Sequence, residues 1–168
     1  MVTVSKEENV YLLLGSNLGD KQTYLKRAKE LIQAQIGVII EESHLYETSP
    51  WLGLDQDPYL NQAIRLTTSL SPEKTLSILL DIEKSLGRKR EKKNESRNID
   101  IDLILWGQRI IDSPDLKIPH PRMNQRSFVL IPLMEIAAEE IHPIEHKSIE
   151  ELYELCADLG EVVLLDEK

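Results

Sequence analysis

Short apolar runs and alternations of period two recur along the chain, interrupted by segments whose apolar residues fall three and four positions apart. Residues 9–14 form the first strand-like run, and Gly15-Ser16-Asn17-Leu18-Gly19 closes it with turn chemistry. Helical spacing of Tyr24, Ala28, Leu31, Ile32 and Gln35 then predicts a helix capped by Asp20 and stopped at Gly37. Residues 38–46 read as a second strand, 48–58 as a loop and 59–68 as a third strand, with Leu60, Gln62, Ile64 and Leu66 alternating against Asn61, Ala63 and Arg65. Ser71-Pro72 opens another helix, because serine caps and proline suits the first helical position. Leu76, Leu79, Ile82, Glu83 and Leu86 trace its inner side, and Gly87 ends it. A strand at 99–106 and a short one at 109–111 follow.

The order β-α-β-β-α-β predicts an α+β fold of the ferredoxin-like, split βαβ kind: an antiparallel sheet with helices packed mainly on one face. A proline-rich loop over 113–122, helices at 128–138 and 148–159, and a strand at 162–165 read as C-terminal additions. With 168 residues, a single domain over the whole chain is expected.

The fourth strand is unusual. In Arg97-Asn98-Ile99-Asp100-Ile101-Asp102-Leu103-Ile104-Leu105-Trp106, period two puts Asp100, Asp102, Ile104 and Trp106 on one face and Ile99, Ile101, Leu103 and Leu105 on the other. Aspartate is depleted in strands because its short side chain competes for backbone hydrogen bonds. A polar outer face would explain two of them, but Ile104 and Trp106 continue the same face as apolar. Their Cα atoms stand roughly 6–7 Å apart, a spacing from which two carboxylates can converge on divalent ions of a phosphoryl-transfer site. Oxygen ligands suit Mg²⁺.

Charge sharpens this picture. The chain carries a net charge of −9, which argues against a nucleic-acid partner. Yet Arg88, Lys89, Arg90, Lys92, Lys93 and Arg97 crowd into ten residues. They read either as a solvated basic loop or, beside the aspartates, as cations for a polyphosphate carrying Mg²⁺. Pro119-His120-Pro121-Arg122 and Arg126 form a second polar cluster, in which His120 is either a surface residue or a phosphate donor beside Arg126. Tyr59 and Phe128 each flank a loop and serve either core packing or the two sides of a flat heterocycle.

Other features exclude more than they assign. The apolar runs fall far short of the roughly 20 residues of a membrane span, and the opening residues lack a secretory pattern, so a cytoplasmic protein with no membrane partner is expected. Cys156 is the only cysteine, which rules out an internal disulfide and a cysteine-rich zinc site, and it reads as a buried spectator. His142 and His146 read as surface residues and His44 as packed on its strand. Gly15 to Asp20 lacks the lysine of a Walker A loop and the third glycine of a dinucleotide fingerprint. The polar composition permits a monomer.

Six blocks together resemble one family. Leu13-Leu14-Gly15-Ser16-Asn17-Leu18-Gly19-Asp20, Tyr46-Glu47-Thr48-Ser49-Pro50-Trp51, Tyr59-Leu60-Asn61, Gly87-Arg88-Lys89-Arg90, Arg97 to Asp102, and Ile118 to Leu130 occur in the order found in 6-hydroxymethyl-7,8-dihydropterin pyrophosphokinases of folate biosynthesis. The resemblance spans about residues 9–138. It implies transfer of the β,γ-pyrophosphoryl group of ATP to the pterin hydroxymethyl group, with AMP released. By position, Asp100 and Asp102 resemble the pair holding two Mg²⁺ ions. Arg88 and Arg97 resemble phosphate-handling arginines on a loop expected to close over the site, and Arg90, His120 and Arg126 resemble ATP contacts. Tyr59 and Phe128 match the rings that enclose the pterin, while Asn61 and the segment with Thr48, Pro50 and Trp51 match its edge-reading groups. Two departures stand out: Asn94-Glu95-Ser96 where many members carry Trp-Gly-Pro, and Asp55-Gln56-Asp57-Pro58 where many read Asp-Gln-Pro.

Overall fold

An antiparallel sheet organises the computed structural model, which describes residues 8–48, 57–87, 98–158 and 160–165. In chain order the elements are β1 (Glu8–Ser16), α1 (Lys21–Gln35), β2 (Val38–Glu42), β3 (Tyr46–Thr48), β4 (Tyr59–Thr68), α2 (Pro72–Ser85), β5 (Asp100–Trp106), β6 (Ile111–Asp112), β7 (Lys117–Ile118), α3 (Ser127–Ala137), α4 (Ile149–Leu155) and β8 (Val162–Leu164). The main sheet runs β5-β1-β4-β3-β8, and β2 pairs with another stretch of β4. Every neighbouring pair in it is antiparallel. Crossovers through α1 and α2 therefore skip one strand each, the split βαβ topology that the element order implies.

The local chemistry that starts the helices is present. The Asp20 carboxylate accepts a hydrogen bond from the Thr23 amide (3.2 Å), and the Ser71 hydroxyl accepts one from the Lys74 amide (3.1 Å), with Pro72 in the first turn of α2. Leu25, Ala28 and Ile32 of α1, with Leu79 and Ile82 of α2, pack on Val10, Leu12 and Leu14 of β1 and on Leu60, Ile64 and Leu66 of β4. Leu25 joins the inner side, while Gln35, expected there from periodicity, is exposed at the end of the helix.

The opposite face of the sheet is covered as well. Tyr11, Leu13 and Ala63 meet Val129, Leu130 and Leu133 of α3 and Ile149 and Leu152 of α4. The C-terminal additions thus form a third layer, on the side away from α1 and α2. Ser148 opens α4 with a reciprocal capping box with Glu151. No helix among the described residues is long and apolar enough to cross a membrane.

Several sequence expectations are displaced. The strand expected over 38–46 is two strands, broken at Ser43, whose hydroxyl accepts from the Ala63 amide (3.0 Å) and whose carbonyl accepts from the Gln62 side chain (2.8 Å). The short strand expected at 109–111 lies at β6 and pairs with β7, inside the segment read as a loop. The last helix stops at Leu155, and Cys156 follows in extended backbone, half-buried beside α3 and α4. His142 is buried, because its Nδ1 accepts the amides of Ile144 and Glu145 and staples that turn. His44 is substantially exposed and its Nδ1 lies 2.9 Å from Glu135 Oε2.

Candidate active site

The two aspartates lie on β5, an edge strand, where Asp100 pairs with Gly15 and Asp102 with Leu13. Leu13 faces the α3 layer, so both half-buried carboxylates face that layer too. The single apolar-and-acidic face expected from Asp100 to Trp106 holds only as far as Ile104. In the register, Leu12 pairs with Leu103 and Tyr11 with Leu105, leaving Ile104 as an extra residue. Such a bulge resets the alternation. Ile104 and Leu105 both pack toward α3, while Trp106 turns into the core under α1 and α2.

The bulge also helps to place the next segment. The Ile104 carbonyl accepts the His120 amide (2.9 Å), which fastens the 119–122 stretch to the strand that carries the aspartates. His120 Nδ1 accepts the Arg122 amide (3.2 Å), so in the neutral ring Nε2 carries the proton. Burial pushes the His120 pKa down to about 4; Arg126 and Arg122 act in the same direction and Asp100 opposes them. Met123, fully buried, anchors a short 3-10 turn that leads to Arg126. The Arg126 guanidinium stands 5.5 Å from the centre of the Phe128 ring. Burial lowers its pKa, against the fields of Asp102, Asp100 and Asp158, while Arg122 lowers it further.

Toward the middle of the sheet, one row runs Asp100, Gly15, Asn61, Tyr46 across β5, β1, β4 and β3. Two strand spacings separate Asp100 from Asn61, about 10 Å between Cα atoms. Asn61 is buried, and its Nδ2 donates to Thr48 Oγ1 (2.9 Å). Its Oδ1 lies over the bare backbone of Gly15, where a Cβ atom would be only 2.8 Å away. Tyr59 sits beside it, its Cδ1 at 3.8 Å from the same point, and is partly exposed. Phe128, also partly buried, sits in the first turn of α3 on this side of the sheet.

Asp100, Asp102, His120, Arg126, Phe128, Tyr59, Asn61 and Thr48 thus belong to the α3 side of the sheet. Arg88, Arg90, Arg97, Pro50 and Trp51 lie outside the described residues. Two participants were not picked out from sequence: Gly15, read there only as a turn, and Asp158, which accepts two bonds from Ser127; Arg122, part of the expected cluster, acts on both His120 and Arg126 through its charge. Among the described residues no group of three or more His, Cys, Asp or Glu side chains could hold a metal ion. The Asp100–Asp102 pair nevertheless suits a hydrated Mg²⁺, which commonly takes one or two protein carboxylates and completes its shell with water and phosphate oxygens.

The family model for 7,8-dihydro-6-hydroxymethylpterin-pyrophosphokinase (HPPK) matches residues 11–138. The chain belongs to the HPPK family. Among HPPK relatives, the 2-amino-4-hydroxy-6-hydroxymethyldihydropteridine pyrophosphokinase of Bacillus subtilis is 42% identical over 130 residues, covering 77% of this chain and 78% of its own. Its namesake in Porphyromonas gingivalis is 41% identical over 138 residues, covering 80% of this chain and 93% of its own. The folic acid synthesis protein fol1 of Pneumocystis carinii is 40% identical over 151 residues, 90% of this chain, yet the chain spans only 20% of that longer protein. In three dimensions, the Plasmodium falciparum HPPK-DHPS crystal structure with pteroate aligns with a TM-score of 0.74 at 16% identity, over 92% of this chain and 43% of that one. This likeness extends the HPPK assignment to the fold.

Proposed function

We propose that this HPPK-family chain is an ATP-dependent diphosphotransferase that converts 6-hydroxymethyl-7,8-dihydropterin to its diphosphate in folate biosynthesis. The hydroxymethyl oxygen attacks the β-phosphorus of ATP, the bond from that phosphorus to the α,β-bridging oxygen breaks, AMP leaves and the hydroxyl proton is released. The observation that carries this reading is the row Asp100–Gly15–Asn61. It sets an acidic pair and a buried amide about 10 Å apart on one face, with a glycine between them over which the amide oxygen lies.

Each group has work suited to its chemistry. Asn61, fixed by Thr48, presents its amide to the hydrogen-bonding edge of the pterin, and Pro50 and Trp51 adjoin it in sequence. Tyr59 and Phe128 offer rings to the two faces of the heterocycle. Arg126, held in place beside Phe128, and neutral His120, donating through Nε2, bind triphosphate oxygens. Arg88, Arg90 and Arg97 add cations from the basic segment. Asp100 and Asp102 would hold two Mg²⁺ ions, which when bound neutralise charge on the transferring phosphates. Catalysis here is placement and charge balance, which is what phosphoryl transfer mainly requires.

The test is a product assay with ATP, Mg²⁺ and the pterin, resolving AMP, ADP and pyrophosphate. Pterin-dependent AMP is expected, with Asp100→Ala and Asp102→Ala each lowering kcat by about a hundredfold or more. Release of ADP or pyrophosphate instead of AMP would refute the reaction, and full activity in both variants would refute the metal role.

A further inference from the structure

Arg126, Ser127 and Phe128 are consecutive, and on the reading above the outer two contact different substrates. What fixes their orientation is the residue between them. Ser127 is 4% exposed, and it begins α3 without a capping side chain from the preceding residue, Arg126. The cap comes instead from 31 residues downstream. Asp158 Oδ2 accepts both the Ser127 amide (2.9 Å) and the Ser127 hydroxyl (2.9 Å). The other carboxylate oxygen, Oδ1, accepts the Gly160 amide (2.8 Å), so the carboxylate is itself held in place. Asp158 lies beyond residue 138, where the family match ends.

We infer that Asp158 is a positioning residue for both substrates. By clamping Ser127 at two atoms it fixes the first turn of α3, and so aims Phe128 at the pterin and Arg126 at the triphosphate. A one-residue anchor between two contacts has a distinctive signature. Its loss weakens two chemically unrelated ligands together, because both side chains swing with one turn. A small misplacement of positioned groups is costly, up to on the order of a hundredfold for about 1 Å. Asp158 also acts on the charge of Arg126, since its field favours the protonated guanidinium. The conservative variant separates that influence from the clamp. Asparagine keeps one oxygen acceptor for Ser127 and removes the charge, but its NH2 then faces the Gly160 amide, so it restores the clamp only in part.

This inference rests on the pyrophosphokinase reading, and the experiment distinguishes the two. Calorimetry on the full chain would measure affinity for 6-hydroxymethyl-7,8-dihydropterin and, with Mg²⁺, for an ATP analogue whose α,β-bridge cannot be cleaved. For Asp158→Ala, both dissociation constants are expected to rise roughly tenfold, at a temperature where circular dichroism shows the variant folded. Asp158→Asn should recover part of that loss. Ser127→Ala, which removes one of the two clamped atoms, should give a smaller loss for both ligands and serves if Asp158→Ala does not fold. Wild-type affinities in folded Asp158→Ala or in Ser127→Ala would overturn the inference, as would the loss of affinity for only one of the two ligands. If the unmodified chain bound neither ligand, the pyrophosphokinase reading would fail, and this inference with it.

Discussion

A methyl group on residue 15 is the smallest change that should separate the two substrates. The Cβ of Gly15→Ala would fall 2.8 Å from Asn61 Oδ1, and Asn61 cannot retreat easily because it is buried and tied to Thr48. Pterin affinity is expected to fall about tenfold or more, an inference from the cost of losing a buried polar contact, while affinity for the ATP analogue stays near that of the unmodified chain. Equal losses for both ligands would show that the whole sheet had shifted instead. His120 gives a second residue-level expectation. With a folded pKa of about 4, below the ordinary value of 6.5, its contribution to stability is complete above about pH 6.5. That contribution disappears as pH falls toward 4, because the unfolded chain then binds a proton that the folded one resists. The unmodified chain should lose up to about 3 kcal/mol more than His120→Gln over this window, measured by urea unfolding at pH 4.5 and 7. At this scale the aspartate pair was legible because a period of two is rigid geometry. Asp158 was not, since nothing in a sequence says which helix end a carboxylate 31 residues away will cap.

Among the elements, α3 is joined to the sheet by Glu135 as well as by apolar packing. Its Oε1 accepts the Tyr46 hydroxyl (2.7 Å), and its Oε2 lies 2.9 Å from His44 Nδ1. Burial works to raise the Glu135 pKa, but the bonds from Tyr46 and His44 outweigh it and hold the carboxyl below its usual value. Tyr46 is also the cross-strand partner of Asn61, so this link braces the row proposed to read the pterin. Tyr46→Phe is expected to lower the unfolding free energy by about 1.5–3 kcal/mol, the usual worth of a hydrogen bond to a charged group. An unchanged denaturation midpoint would sink that assignment. The starts of α1, α2 and α4 were readable because their caps are local. The break at Ser43 and the β6–β7 pair were not, for both depend on partners distant in sequence or on strands of only two residues.

On the scale of the whole molecule, the order of elements revealed the sheet topology because a split βαβ crossover leaves few alternatives. It left open which face the C-terminal segment would cover. That segment forms the wall opposite the aspartates, so the candidate site is built between layers: carboxylates and amide from the sheet, the arginine from the residue before α3 and the ring from its first turn. Ile104 joins the two requirements in an instructive way. Without it β5 would form an unbroken ladder with β1, and every other side chain of the strand would keep its present face. The sheet gains an isoleucine's worth of packing from it and loses regularity. What would vanish with that residue is the carbonyl on which His120 docks. Packing accounts for an isoleucine at that point but not for the break in the ladder, so the bulge is where β5 trades regularity for a foothold on a segment that it does not otherwise pair with.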